Sequence, residues 1–449
     1  MLSLDPAFFF RWHHRIYRIF PIENSRFQSK YSTLSIPNIG IGRIFRLEIG
    51  HHDYPKTRET NAMPHKTPET SQMSPVEAAK RHPLMLGLFL PIQSGAWSPS
   101  LAPRSTSWTF DYNARCTIMA EKLGFDLVFG LAQWMGKGGY GGEMKFREMA
   151  TDPLLVTAGL AALTERILLV STVHILYGWH PLHLAKFGAT LSEMSGGRWG
   201  LNMVTGYKKS EFEMFGLEQI EHDHRYVMAD EFVTMMKQLW SEDENLSVDG
   251  QFWKMKNAFV APKPAGGRCL LVNASSSGAG LAYAVKHSDL IFVTSPAGAN
   301  LDRACEALPA HNRQIKDAAA AQGRDIRTLI NPHVICRETE AEAWAQYDAI
   351  LKHQDAVAAE NFYRTFTGGD QTSWKAATRE QWTIGGNVHI VGTPAQVVEG
   401  FQRLKRAGCD GVQVNFYDFI PDLEFFGARV LPLMREAGLR LDTPLAAAA

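Results

Sequence analysis

From Pro83 onward, short unbroken apolar runs alternate with longer segments whose apolar residues recur at helical spacing. A strand buried on both faces reads as a continuous apolar run, so this alternation predicts a parallel sheet with crossover helices. The runs are Leu84–Pro91, Phe125–Gly130, Ile167–Thr172, Trp199–Val204, Leu270–Ala274, Leu290–Val293, Leu329–Cys336 and Gly411–Asn415. Helices are expected over Asp111–Leu123, closed by Gly124, over a segment containing Leu160–Thr164, and over Tyr226–Trp240. Two stretches break the rhythm. Leu246–Asn257, with Asp249-Gly250 at its centre, reads as a hairpin inside an insertion near 246–265. A second insertion spans 354–386 between the last two strand–helix units, flanked by Gly368-Gly369 and Gly385-Gly386, a pattern suited to a mobile lid.

Residues 1–82 lack any sustained period, are rich in arginine and poor in acids, and lack the apolar core of a signal peptide. They are expected to be a disordered N-terminal extension, or a stretch outside the mature protein, with a mitochondrial transit peptide as the alternative. The domain that carries the chemistry then spans 83–440, with 441–449 a disordered tail. Formal net charge is +0, which gives no reason to expect nucleic acid or an anionic membrane as partner. Five scattered cysteines without C-x-x-C spacing fit a reducing, cytoplasmic setting and make neither a disulfide framework nor a zinc site. His174, His180 and His183 lack local carboxylate partners, so no metal is expected there. No G-x-G-x-x-G opens a helix after the first strand, which argues against a dinucleotide site.

The segment Ser195–Tyr207 carries the strongest signal. A glycine turn leads into an apolar run that stops at Thr205-Gly206, where a parallel strand delivers its C-terminal end. With Lys208–Gly216 (KKSEFEMFG), this block resembles the signature of the bacterial-luciferase-like flavin monooxygenases, in the branch holding alkanesulfonate, dimethylsulfone and pyrimidine monooxygenases. Further matches follow in chain order: Arg104–Asn113, Gly124–Asp126, Gly138–Gly142, Leu163–Ile167, His222–Tyr226, Asp230–Phe232, Gly392–Pro394 and Phe426-Gly427. The resemblance covers roughly Pro83 to Leu439. It implies an α/β fold, a (β/α)8 barrel with insertion segments at the C-terminal face. It also implies FMN used reduced, as FMNH2 from a separate NAD(P)H-dependent flavin reductase, with O2 as co-substrate and a homo-oligomeric state.

Such a site must fix a phosphate, hold the flavin ring and keep water from a flavin–oxygen adduct. For the phosphate, the resemblance points to Arg225, Tyr226, Ser276 and Ser277, the serines lying in a Ser/Gly-rich turn that opens a helix. The bland alternatives are an ordinary capped helix start and, for Arg225, a solvated residue in a first turn. For the ring, matching positions are Ala132, Gln133, Thr172, Asn202 and Glu211. An asparagine inside an apolar strand needs hydrogen-bond partners, which a flavin ring or the core could supply. Glu211 either meets the cofactor or acts as a cap three residues past Lys208. His222 and His224 read as a solvated loop, while Trp97, Trp108, Trp134, Trp179 and His180 are candidates to line the pocket.

His333, Tyr417 and Asn202 are the candidates for catalysis. Alkanesulfonate enzymes carry an arginine where this chain has Asn331 and a histidine where it has Phe419, so a neutral sulfone, amide or N-heterocycle suits the pocket better than a sulfonate. The resemblance thus implies a two-component monooxygenase that cleaves a small neutral substrate, a dimethylsulfone-like sulfone first and a pyrimidine-type ring second. An alkanesulfonate monooxygenase, a deazaflavin-dependent dehydrogenase and a non-catalytic flavin-binding subunit are the alternatives. A chain lacking residues 1–72 is expected to keep its activity, checked by assaying the truncated protein beside the full chain.

Overall fold

The computed structural model describes residues 73–274, 277–368, 376–386 and 388–441. Eight parallel strands close into a barrel in the order β1-β12-β9-β8-β7-β4-β3-β2. They are β1 (Met85–Phe89), β2 (Leu127–Gly130), β3 (Leu168–His174), β4 (Trp199–Val204), β7 (Leu270–Asn273), β8 (Leu290–Val293), β9 (Arg327–Ile330) and β12 (Gly411–Val414). A hairpin, β5 (Leu246–Asp249) with β6 (Lys254–Ala258), stands apart, as does the parallel pair β10 (Pro332–Cys336) with β11 (Val388–Gly392). Helices follow the strands on the outside, so the expected barrel of alternating strands and helices is what the chain forms.

Closure fixes which side chains face inward. β2 and β8 stand opposite each other in the strand order, yet the Phe129 and Phe292 rings lie 4.7 Å apart, a contact that crosses the lumen. Phe89 meets Phe129 edge-on at 4.7 Å. The interior is therefore a packed aromatic plug, as expected of a barrel of this size. Register then places Thr172 and Asn202 directly above it: Phe129 pairs with Val170, Val170 with Gly200, and Thr172 with Asn202, two residues nearer the C-terminal mouth.

Local sequence sets the element ends. Gly124 takes a left-handed conformation at φ 85° and closes the helix Phe110–Leu123. Asp152 caps Pro153–Ala161, which ends before the expected Thr164, where the Ala162 and Leu163 N–H groups turn to carbonyls three residues back, those of Gly159 and Leu160. The seventh run is broken. Asn331, followed by Pro332, separates β9 from β10, and β10 leaves the barrel to pair with β11. The residues read as a loop at His222–His224 are instead the first turn of the helix His222–Ser241, whose leading N–H groups are capped by the Glu221 carboxylate. The hairpin turn Gly250–Trp253 wraps around Glu231, whose carboxylate accepts from the N–H groups of Gln251, Phe252 and Trp253. A side chain on Gly250 would collide with that carboxylate. The insertion between β10 and β11 carries helices Glu340–Lys352, Ala356–Thr367 and Arg379–Ile384, while part of the expected lid, 369–375, lies outside the described residues.

At the opposite end a buried ion pair ties the chain together. The Arg440 guanidinium meets both oxygens of Asp126 (the Nη2 contact is 3.1 Å) and donates to the carbonyls of Leu84 and Gly124. Asp126 also accepts the Leu86 N–H at 2.7 Å. Removing one member leaves a buried charge unpaired, which typically costs about 3–5 kcal/mol. Arg440→Met is expected to lower stability by roughly 3 kcal/mol, read as a shift in the urea unfolding midpoint; an unchanged midpoint would show that the pair contributes nothing.

Candidate active site

The inward alternation of β3 and β4 brings Thr172 and Asn202 side by side at the mouth, both buried. Asn202 Nδ2 donates to Thr172 Oγ1 at 3.0 Å, which leaves the Asn202 carbonyl oxygen buried and without a protein partner. Buried polar atoms are rarely left so. It is a group prepared for a ligand N–H. Ala132 and Thr172 line a cleft of about 250 Å³ with Trp134, His174, Trp179 and Phe215.

Glu211 organises one side of this mouth. Its carboxylate accepts from Lys208 Nζ at 3.0 Å, from the Tyr177 hydroxyl at 2.9 Å and from the Trp134 backbone N–H at 3.3 Å. His174 Nδ1 stands 3.6 Å away. Burial alone would raise this carboxyl, but the Lys208 ammonium and the His174 ring hold it below its ordinary range. Glu211 therefore does not cap its helix through the Lys208 backbone, the alternative read from spacing; it grips the Lys208 ammonium instead.

The residues expected for the phosphate lie on two neighbouring strand–helix units. β4 and β7 are neighbours, and the helices that follow them, His222–Ser241 and Gly278–His287, pack together, with Tyr226 5.9 Å from Tyr283. Arg225 is buried rather than solvated, and its Nη1 donates to the Gly206 carbonyl at 2.7 Å. Gly206 holds φ +86° with its α-carbon against the Tyr177 ring, a position no other residue would fill without collision. Ser277 caps its helix by accepting the Gly280 N–H at 3.1 Å. Asn202 and Ser277 thus belong to adjacent strand–helix units on the same rim, and Ser276 lies outside the described residues.

His333 and Tyr417 lie across the mouth. His333 is fully buried on β10, with Nδ1 against Asn415 Oδ1 and Nε2 unpartnered. Asn415 Nδ2 is itself bonded to the Pro332 carbonyl, so its oxygen faces the ring and Nδ1 carries the proton. Nε2 is then an acceptor. Tyr417 is not brought to the other residues: its hydroxyl donates to the Ala102 carbonyl at 2.7 Å, and the Arg104 guanidinium lies over its ring at 4.6 Å. That geometry makes Tyr417 a brace for the loop after β1. His180 caps the helix Pro181–Met194 by accepting the Leu182 N–H. Burial pushes Cys116, Cys269, Cys336 and Cys409 up to about 12, which leaves their thiols inert.

Residues 85–411 match the family model for luciferase-like monooxygenases. The chain belongs to that family. It is 32% identical over 358 residues to an FMNH2-dependent dimethylsulfone monooxygenase of Pseudomonas fluorescens (strain Pf0-1), covering 78% of this chain and 93% of that protein. It is 30% identical over 364 residues to the pyrimidine monooxygenase RutA of Bradyrhizobium, covering 79% and 98%. Among solved structures, a riboflavin lyase (RcaE) with modified FMN and riboflavin superposes with a TM-score of 0.72 at 24% identity, over 80% of this chain and 94% of that one, a likeness of fold.

A mononucleotide fits what the luciferase-like chain offers: an unpaired carbonyl for a ring N–H at Asn202, and Arg225 with a capped helix start one unit away. Two residues of this rim escaped the sequence reading. Arg147 and Lys208 are buried cations, and only their flanking glycine loop and strand end marked the region.

Burial pushes His333 down to about 4 and His389 down to about 3, so both rings are neutral in the folded state near pH 7. An unfolded histidine titrates near about 6.5. The folded form binds fewer protons than the unfolded form between those values, so this contribution to stability is complete above about pH 6.5 and is lost as pH falls toward 4. Urea midpoints are expected to fall across that window, less steeply in His389→Gln; equal slopes would remove His389 from the account.

Proposed function

We propose that this member of the luciferase-like family is an FMNH2-dependent monooxygenase that oxygenates and cleaves a small neutral organic substrate, a sulfone of the dimethylsulfone type. The observation that carries the reading is the unpaired Asn202 carbonyl beside Thr172, one strand–helix unit from the Arg225 and Ser277 anion seat. The similarity to the dimethylsulfone monooxygenase supports the sulfone. The RutA similarity, at nearly the same identity and coverage, supports ring opening of a pyrimidine-type heterocycle as the second reading.

Each residue then has a role. Arg225, Tyr226, Ser276 and Ser277 hold the phosphate; Asn202 and Thr172 accept and orient the ring edge, with Ala132 and Gln133 as its wall. Glu211 keeps the Trp134 and Lys208 segments in place around it. His333 Nε2 faces the substrate side as a neutral acceptor, and Trp97 and the insertion helices exclude water. Bound reduced FMN supplies the two electrons by which O2 gives one oxygen atom to the substrate and one to water. A transient NAD(P)H-dependent flavin reductase delivers the cofactor, and the enzyme works as a cytoplasmic homo-oligomer. Residues 83–440 carry all of this chemistry, and residues 1–72 none of it.

The test is oxygen uptake with photoreduced FMN and dimethylsulfone or uracil. Substrate-dependent uptake is expected with the sulfone; turnover on deazaflavin without oxygen would overturn the monooxygenase reading. Asn202→Ala and Ser277→Ala are each expected to weaken reduced-FMN binding about tenfold, the loss of roughly one hydrogen bond to a charged or buried polar group. Unchanged affinity in both would remove this map of the site.

A further inference from the structure

One buried cation of the rim, Arg147, has no carboxylate beside it among the described residues. Arg147 is fully buried, stacked on Trp97 at 4.5 Å and on Phe362 at 4.8 Å. Its Nε donates to the Ala96 carbonyl at 2.8 Å and its Nη1 to Gln133 Oε1 at 3.2 Å; Nη2 is buried with no partner. No carboxylate lies within ion-pair distance of it among the described residues. Lys208, within 6 Å of the Tyr140, Tyr207 and Phe366 rings, uses up the charge of Glu211. Burial pushes His174 below its ordinary value, against the opposing pull of Glu211 3.6 Å away. Arg147 and Lys208 thus both lie against the rings of the helix Ala356–Thr367, whose capping Asp355 spends its carboxylate on the Met144 and Ala358 N–H groups. A buried charge without a counter-charge costs several kcal/mol. An arginine in that state is a seat for an oxyanion.

We propose that Arg147 holds the sulfonyl oxygens of the substrate and takes up the negative charge that appears on them when the carbon–sulfur bond breaks. The proposal rests on the sulfone reading above. Once a methyl C–H of the sulfone has become C–OH, the hydroxyl loses its proton to solvent. The C–S bond then breaks with its electron pair going to sulfur, and an aldehyde and a sulfinate anion result. The substrate is neutral and the product is not. A fixed guanidinium at those oxygens strengthens its hold as the bond breaks, which is where binding energy accelerates a reaction.

The experiment is calorimetric titration of the full chain with sodium methanesulfinate and with dimethylsulfone, without flavin and again with oxidised FMN. The wild type is expected to bind the sulfinate more tightly than the sulfone. Arg147→Met is expected to lose about tenfold or more in sulfinate affinity, as for a hydrogen bond to a charged group, with Arg147→Lys recovering part. Folded Arg147→Met that binds the sulfinate as the wild type does would overturn the proposal. Should that variant fail to fold, the wild-type ratio decides, and a preference for the neutral sulfone would overturn it equally. Arg147-dependent sulfinate binding without oxygen uptake on the sulfone would keep the oxyanion seat and remove the sulfone reading.

Discussion

One buried carboxylate sets the shape of this rim. Glu211 is taken out of water, so it must be met by donors, and it draws them from three loops: the Trp134 N–H after β2, the Tyr177 hydroxyl after β3 and the Lys208 ammonium after β4. Those loops therefore converge. The convergence seats Tyr177 against Gly206, and the Gly206 carbonyl in turn fixes Arg225. The positions proposed for the ring and for the phosphate are thus held to one another through a short chain of contacts rather than by the barrel alone. Loops are where such precision is hardest to obtain, and burying an ion pair among aromatic rings is a physically costly but specific way to obtain it.

The two ends of the site are electrically different. At the Ser277 end, the proposed anion seat consists of a capped helix start and, on the preceding strand–helix unit, an arginine bonded to a backbone carbonyl. At the Arg147 end the positive charge is sealed between rings with one N–H corner unused. Between them lies the neutral strip of Thr172, Asn202 and the aromatic plug. A ligand with a phosphate at one end and a reacting partner that becomes anionic at the other would be oriented by that pattern before any close contact is made.

The sequence carried the strands well, because burial on both faces writes each of them as an apolar run with its own turn signals. The Trp199–Val204 and Leu290–Val293 runs coincide with the strands formed. The break at Asn331-Pro332 was also written there, since a proline after a polar residue rarely continues a central strand, but the apolar residues on either side masked it. His222–His224 reads as loop from its polar composition alone, and the carboxylate of Glu221 capping the N–H groups behind it makes it a helix start. Tyr417 matched a motif by order, and only the position of Ala102 determines where its hydroxyl goes. Arg147 and Lys208 were invisible for a deeper reason. Nothing local in a chain states that a cation will be closed off by rings from Tyr140, Phe362 and Phe366, residues up to 215 positions distant from the cation they cover.

The detour of β10 has an architectural consequence. The barrel closes between β9 and β12 through Leu329 and Ile330, before the chain turns away at Asn331. The helices that roof the reactive end hang instead from the separate ribbon of β10 and β11. The cylinder therefore closes without the roof, which is tied back to it by the His333–Asn415 pairing and by the loop after β1, where Ser98 and Ser100 donate to the Thr383 and Ile350 carbonyls. Roofs of other lengths and linings can be exchanged between Arg337 and Val388 while the cylinder underneath stays shut, so one scaffold can be fitted to differently shaped molecules by altering a part that its own closure does not need.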